Sequence, residues 1–422
     1  MAKQLHKRFS AEEVKMLLQK YLDEKVKLVY ILETLGVKRS RFFELLKEYK
    51  EGPDNFSIQY KRKRATRKIS EKIEKNIINE LKKEKKLIEE KEIPITSYNY
   101  SYIKDQIYQN YGQKVSLPTI INRAKKEGFY KPRRKKRKSH DREVLTNYIG
   151  ELIQHDSSHH KFSPYADKRW YLITSLDDYS RFLLYYRLVE KETSWHHILA
   201  LQAVFLTWGI PFSYYVDSHS IFRFVQGRDS LWRKHYLLTD EIDTQWKKVI
   251  DDCKVKPIYA LSPQARGKIE RPYGWLQDRI VRTCAREEIK SIEQAEKVLE
   301  KEATRYNYHQ VHSTTGEIPI LRFQRAMKEE KKSLFREFKI PSPYKSVKDI
   351  FCLRVKRKVD AYHKISIHNL KFRVHKAPLR GEVELRIAPD EETGIAEIRI
   401  WYKGELTDVY QVKNSDLNLV RF

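Results

Sequence analysis

Cysteine is scarce in this 422-residue chain: Cys253, Cys284 and Cys352 are the three present, and none belongs to a C-x-x-C pair. That spacing excludes a disulfide framework and a cysteine-rich zinc module, and it fits a reducing compartment. Long apolar runs are missing too. No stretch reaches the roughly 18 residues of a membrane-crossing helix, and MAKQLHKRFS lacks the apolar centre of a secretory signal. The expectation is a soluble protein of the cytosol or nucleoid, with no membrane partner. Acidic residues are in deficit, 57 against 85 Lys and Arg, for a net charge of +28. Such a balance calls for a polyanionic partner.

What is there is divided unevenly. Residues 1–140 hold 37 of the basic and 18 of the acidic residues, an excess of 19 out of the total 28. A length of 422 exceeds one ordinary core and predicts two to four domains, for which 40% hydrophobic residues suffice. Three short helices are predicted between Ser10 and Tyr49, the first capped by Ser10 with Glu13 three residues on. A turn at Gly36 then leads to a helix opened by Lys38, Arg39 and Arg41 and capped by Ser40. This is the pattern of a helix-turn-helix within residues 1–60, or of a plain helical hairpin. A Lys/Glu-rich helix from Ser70 to Lys91 reads as a solvated face. With YIKDQIYQNYG and SLPTIINRAKKEGFY it makes a second helical DNA-binding candidate over 66–130. Residues 131–147 form a basic linker, in which KPRRKKRK carries seven cations in eight positions, Arg133, Arg134, Lys135 and Lys136 among them. Such an arm tracks phosphates or merely tethers.

Residues 148–330 read as an α/β domain. A hairpin of WYLITSLDD and RFLLYYRLVE precedes a helix over Thr193–Gly209, and further strands fall at FSYYV and KPIYAL. Residues 218–245 lose the pattern and read as an insertion or loop. From 345 to 422, short alternating runs between Gly, Pro and Asn predict a small antiparallel β-barrel. Arg354, Lys356, Arg357 and Lys358 can give it a phosphate-contacting face, though a barrel used for protein contacts fits equally.

Three acids stand in settings that suit a metal ligand: Asp156 in ELIQHDSSHH, Asp217 in SYYVDSHS and Glu270 in SPQARGKIERPYGWLQDRI. Two end short apolar runs read as strands, 148–154 and 212–216, and the third opens an amphipathic helix. Converging carboxylates make a hard, oxygen-rich pocket suited to Mg²⁺ or Mn²⁺. Two such ions about 4 Å apart activate an attacking oxygen and stabilise a leaving one in phosphoryl transfer. Arg266, Lys268 and Arg271 cluster around Glu270 as DNA-binding candidates, and helical spacing puts Gly274 and Gln277 on its face. Asp177 and Asp178 read as turn-capping residues rather than ligands. The run His155, His159 and His160 has zinc-ligand chemistry but no paired Cys beside it, so a DNA phosphate contact by His159 or His160 is the preferred reading.

Together, the triad, the turn DDYSRF, the segment around Glu270 and the closing YNYHQVHSTTGEIPI resemble the integrase-core (DDE, RNase H-like) transposases of bacterial insertion sequences, relatives of the retroviral integrases. The resemblance spans residues 148–325. It implies a mixed five-stranded sheet flanked by helices. It also implies two ions, the first held by Asp156 and Asp217 and the second by Asp156 and Glu270. Sixty residues separate the first pair of acids and fifty-two the second, which agrees with an insertion after Asp217. Asp217 is followed by Ser-His where many members have Asn-Gly, and Pro272 predicts a kink or a later helix start.

The expected whole is multidomain: N-terminal all-α helix-turn-helix modules, a central α/β RNase H-like core and a C-terminal β-barrel. The expected activity is metal-dependent cleavage at element ends and strand transfer. The partners would be terminal inverted repeats, target DNA and further copies of the chain, in the cytoplasm with the bacterial nucleoid. The alternatives are a nuclease or resolvase without strand transfer, and a non-enzymatic DNA-binding regulator.

Overall fold

A computed structural model describes residues 4–59, 69–132, 146–217, 219–222, 243–260, 267–329, 332–367 and 370–417, and only the backbone of 267–271. The chain divides into two compact units, Met1–Glu74 and Lys75–Phe422. In the first, α1 (Ala11–Leu22), α2 (Leu28–Leu35) and α3 (Arg39–Glu51) bury Val14, Leu18, Ile31, Leu35, Phe42 and Leu45 against one another. Ser10 and Glu13 form the expected capping box. Gly36 takes φ 61°, and the Val37 N–H reaches back to the Leu32 carbonyl, which reverses the chain at once. Because the reversal is so tight, α3 starts at Arg39 behind an extended Lys38, and Ser40 lies inside the helix rather than capping it.

α4 (Glu71–Glu89) leads into the second unit, followed by α5 (Tyr100–Tyr111), capped by Asn99, and α6 (Leu117–Lys126), capped by Ser116 with Pro118 in its first turn. The α4 lysines Lys72, Lys75, Lys82, Lys83, Lys85 and Lys86 are exposed, as a solvated face requires, but two of its acids are not. Glu80 and Glu84 are fully buried and paired with arginines of a later helix.

The central sheet has the order β3-β2-β1-β4-β5. β1 (Leu152–His160), β2 (Trp170–Asp177) and β3 (Leu183–Val189) are antiparallel; β4 (Ser213–Val216) runs parallel to β1, and β5 (Lys256–Tyr259) parallel to β4. Side chains alternate between the two faces, as the pleat requires. Leu172, Leu176 and Leu183 join one cluster with α9 (Gly267–Arg286) and α10 (Ile292–Tyr308). Ile153, Leu184 and Tyr214 join another with α7 (Ser194–Trp208) and α8 (Gln245–Asp252). α11 (Pro319–Lys328) closes the domain. α9 starts before Pro272 and carries it inside the helix, so the later start expected from that proline is not seen. The rear of α9 holds the α4–α6 module. Arg282 binds Glu84, Arg286 Nη1 donates to Glu80 at 2.6 Å, and Arg279 donates to Asp105 at 2.7 Å and Glu302 at 2.5 Å.

The C-terminal region does not close into a barrel among the described residues. β6 (Leu353–Lys358), β9 (Glu382–Pro389), β10 (Ile395–Tyr402) and β11 (Glu405–Lys413) form an open antiparallel sheet ordered β11-β10-β9-β6, beside a hairpin of β7 (Lys364–Ile367) and β8 (Leu370–Arg373). Its apolar residues Leu385, Ile387, Ile398 and Ile400 share a cluster with α7 and α8, so closure on itself is not needed to bury them. Arg354 is consumed by this junction. It is buried and bonded to Asp252 and the Ile350 carbonyl, which removes it from the proposed phosphate face. Among the described residues no helix is long and apolar enough to cross a membrane.

Candidate active site

β1 and β4 pair in parallel at Leu152↔Ser213, Ile153↔Tyr214 and Gln154↔Tyr215. Two residues further along each strand stand Asp156 and Asp217, so the backbone brings them level on neighbouring strands. Asp156 lies in the middle of β1 rather than beyond its end. The pairing of β1 with β2 continues through His160↔Trp170, because ladder hydrogen bonds are indifferent to the polar side chains of 157–160. β4 stops at Val216, and the Asp217 carboxylate accepts the N–H of His219 at 2.8 Å to start a turn. Asp156 likewise accepts the N–H of Ser157 at 2.9 Å.

α9 is fastened across β1 by two side chains. The Tyr273 hydroxyl donates to the Asp156 carbonyl and accepts from Thr174 Oγ1 at 3.0 Å. Gln277 donates to Ser158 Oγ at 2.5 Å. Burial, reinforced by the charge of Asp156, keeps Tyr273 a phenol well above its ordinary range. Glu270 falls three residues before Tyr273 on the same helix. Its side chain, with those of Lys268 and Arg271, lies outside the described residues, as does Arg266 altogether. Among the described residues, a Cβ added at Gly274 would meet nothing within 4 Å.

Beside Asp156 a buried chain of hydrogen bonds crosses to the start of α7. Ser175 Oγ lies 2.9 Å from His155 Nδ1, and His155 Nε2 lies 2.8 Å from His197 Nδ1. His197 Nε2 reaches Glu192 Oε1 at 2.9 Å, and the same oxygen accepts from Ser157 Oγ at 2.5 Å. Both rings also meet the edge of Phe222, at 5.6 and 4.9 Å between centroids, five residues after Asp217. Burial holds His155 neutral, well below the usual histidine range. Burial pushes the Glu192 carboxyl up, but the bonds from His197 and Ser157 outweigh it and leave the group below its ordinary value.

Asp177 and Asp178 are spent on structure. Asp177 accepts from the N–H groups of Gly150 and Ser180 and from the Ser180 hydroxyl, and burial raises it to about 6. Asp178 accepts from Gln154 and Thr146 and pairs with Arg181 at 2.8 Å. The three histidines do not converge: His159 stacks on Tyr171, and among the described residues no group of three His, Cys, Asp or Glu side chains is placed to hold a metal. The Glu270 side chain is not among those described. Lys38, Arg39 and Arg41 are exposed at the start of α3, with Arg41 paired to Glu44. Arg133, Arg134, Lys135 and Lys136 lie outside the described residues.

Tyr273, Glu192, His197 and Ser157 were not singled out by the sequence reading. Tyr273 carried a signal, one helical turn after Glu270; the others become visible only when β1 and α7 meet. Asp156 and Asp217 offer oxygen donors alone, a set that fits Mg²⁺ or Mn²⁺ and suits softer metals poorly.

No protein-family model matches the chain. It is 27% identical over 196 residues to a protein of Sinorhizobium fredii (strain NBRC 101917 / NGR234) named "Putative transposase y4bF", a match covering 46% of this chain and 41% of that one. The chain thus spans about two fifths of the length of this curated relative. Among solved structures it is similar to the HTLV-2 integrase catalytic core domain in complex with magnesium, with 18% identity, 43% of this chain and 98% of that one covered, and a TM-score of 0.30. It is also similar to a chain of the simian T-cell lymphotropic virus intasome in complex with the PP2A regulatory subunit B56 gamma, with 14% identity, 73% and 95% covered, and a TM-score of 0.32.

Proposed function

We propose that this chain, a relative of the integrase-core transposases, is a DNA transposase that cuts strands at the ends of its element and joins the freed 3′-hydroxyls to target DNA. One observation supports it above the rest: the β1–β4 register sets Asp156 and Asp217 level while Tyr273 fastens the Glu270-bearing helix to the Asp156 peptide. In this reading Asp156 and Asp217 hold one divalent ion, Asp156 and Glu270 a second. When bound, the ions activate the attacking oxygen and stabilise the leaving one.

The protein's own work is placement. β1 and β4 fix two carboxylates on rigid backbone, and α9 carries the third. With no Cβ, Gly274 lets a DNA backbone come close. In cleavage a water oxygen bonds to phosphorus as the bond to the 3′-oxygen breaks. In joining, that 3′-oxygen bonds to a target phosphorus as the target's own bond from phosphorus to its 3′-oxygen breaks, which leaves a free 3′-hydroxyl on the target strand. The α1–α3 and α4–α6 modules bind terminal inverted repeats, with Lys38, Arg39 and Arg41 at the entry of α3, and the arm around Arg133, Arg134, Lys135 and Lys136 contacts phosphates. Arg266, Lys268 and Arg271 hold the strand near the acids. A dimer or larger assembly follows from the need to join two ends.

The test is a gel assay with labelled element ends and target, with and without Mn²⁺. Cleavage followed by joined products supports the reading. Cleavage without joining makes the chain a nuclease, and binding without cleavage makes it a regulator.

A further inference from the structure

The polar chain between Ser175 and Ser157 lies outside the three acids, yet it touches the backbone of one and the loop of another. Its donors and acceptors have a single consistent order when both rings are neutral. His197 Nε2–H donates to the Glu192 carboxylate, so His197 Nδ1 must accept. His155 Nε2–H then supplies that proton, and His155 Nδ1 accepts from the Ser175 hydroxyl. Glu192 is the terminus, and it takes a second donor, the Ser157 hydroxyl, on the same oxygen. Ser157 in turn gives its N–H to the Asp156 carboxylate.

The consequence is geometric. His155 and His197 are 1% and 0% exposed, so the chain cannot trade these bonds for water and remains rigid while its partners hold. One end grips the residue after Asp156. The two rings grip Phe222 in the segment that follows Asp217. A single network therefore braces the β1 residue next to Asp156 and the segment that follows Asp217 from the start of α7.

Resting on the proposed ion site, we infer that Glu192 is a positioning residue of that site. It acts through Ser157 and, with His197, keeps Asp156 and Asp217 in ligand geometry without itself contacting the ion. The usual cost of removing such a supporting hydrogen bond is about ten- to a hundredfold in metal affinity.

Full-length Ser157→Ala, Glu192→Gln and the combined variant test this. Mn²⁺ binding is read from the free-ion electron paramagnetic resonance signal, the fold from metal-free melting, and DNA binding by gel shift. Each single variant should weaken Mn²⁺ binding about ten- to a hundredfold. The pair should lose no more than either alone, since both cut the same chain. Metal-free melting and DNA binding should stay near wild type, and cleavage should return when Mn²⁺ is raised. Unchanged Mn²⁺ affinity in the single variants overturns the inference, as does a fall in melting temperature with affinity intact. A loss in Glu192→Gln with Ser157→Ala silent makes Glu192 a direct ligand and also overturns it. Asp156→Asn separates the two readings. If it binds Mn²⁺ like wild type, the ion site itself is wrong. If it loses Mn²⁺ while the Ser157 and Glu192 variants keep theirs, only the brace is wrong.

Discussion

The two halves of α9 do different work with different chemistry. The front half, around Glu270, Tyr273 and Gln277, meets β1 through neutral hydrogen bonds to a carbonyl and a serine hydroxyl. The rear half, with Arg279, Arg282 and Arg286, meets α4 and α5 through buried ion pairs. Neutral bonds of fixed direction set a position without filling the site with charge. Buried ion pairs specify an attachment and lose heavily when one partner goes. One helix thus joins the candidate catalytic centre to the α4–α6 module.

The largest expected effect breaks the front half at its purpose. Asp156→Asn should lower cleavage by orders of magnitude while DNA binding and fold persist, as read by gel assay and circular dichroism. Millimolar Mn²⁺ should raise the melting temperature of wild type and leave this variant nearly unmoved.

Next comes the rear half. Arg282→Met leaves the buried Glu84 with Arg286, at 3.3 Å, as its remaining cation and should cost up to about 3–5 kcal/mol, exposing residues 75–130 to protease. Adding Glu84→Leu should restore most of the resistance. If the single variant is as resistant as wild type, the rear half is not an attachment.

A smaller effect tests how the front half is placed. Tyr273→Phe keeps the ring and loses the donor to the Asp156 carbonyl, which should cost about 1 kcal/mol of stability. Cleavage should fall more than stability does, because the lost bond sets the distance from α9 to β1.

The smallest is a pH effect confined to the rear half. Burial raises the Glu80 carboxyl, but Lys83 and Arg286 outweigh it and hold the group below its ordinary 4.5. A depressed carboxyl contributes stability that is present above 4.5 and is lost as pH falls through the lower folded value. Hydrogen exchange should therefore show residues 75–130 loosening first on acidification from pH 5. Equal loosening along all of α9 would erase the contrast between its halves.

The structure also marks which readings depended on local pattern. Asp156 and Asp217 stood out because an acid beside an apolar run is rare enough to notice, and Glu270 because it opened an amphipathic helix. The apolar pattern ends the Asp156 strand at 154, whereas β1 runs from Leu152 to His160, because backbone pairing ignores side-chain polarity. Arg354 was read as a phosphate contact, but Asp252 lies against it. The alternation of residues 345–422 predicts strands that are present and a closure that is not seen among the described residues. A strand's period fixes which face is apolar, not what covers that face.

The composition, the Ser10 capping box and the β2–β3 hairpin were determined by the sequence alone, because each rests on residues close together in the chain. The burial of Glu80 and Glu84, the open C-terminal sheet, the fastening by Tyr273 and the Glu192–His197–His155 chain were decided only by tertiary structure. Each depends on a partner far away in sequence. A charged or polar side chain gives no sign of burial until the group that satisfies it is brought within hydrogen-bond reach.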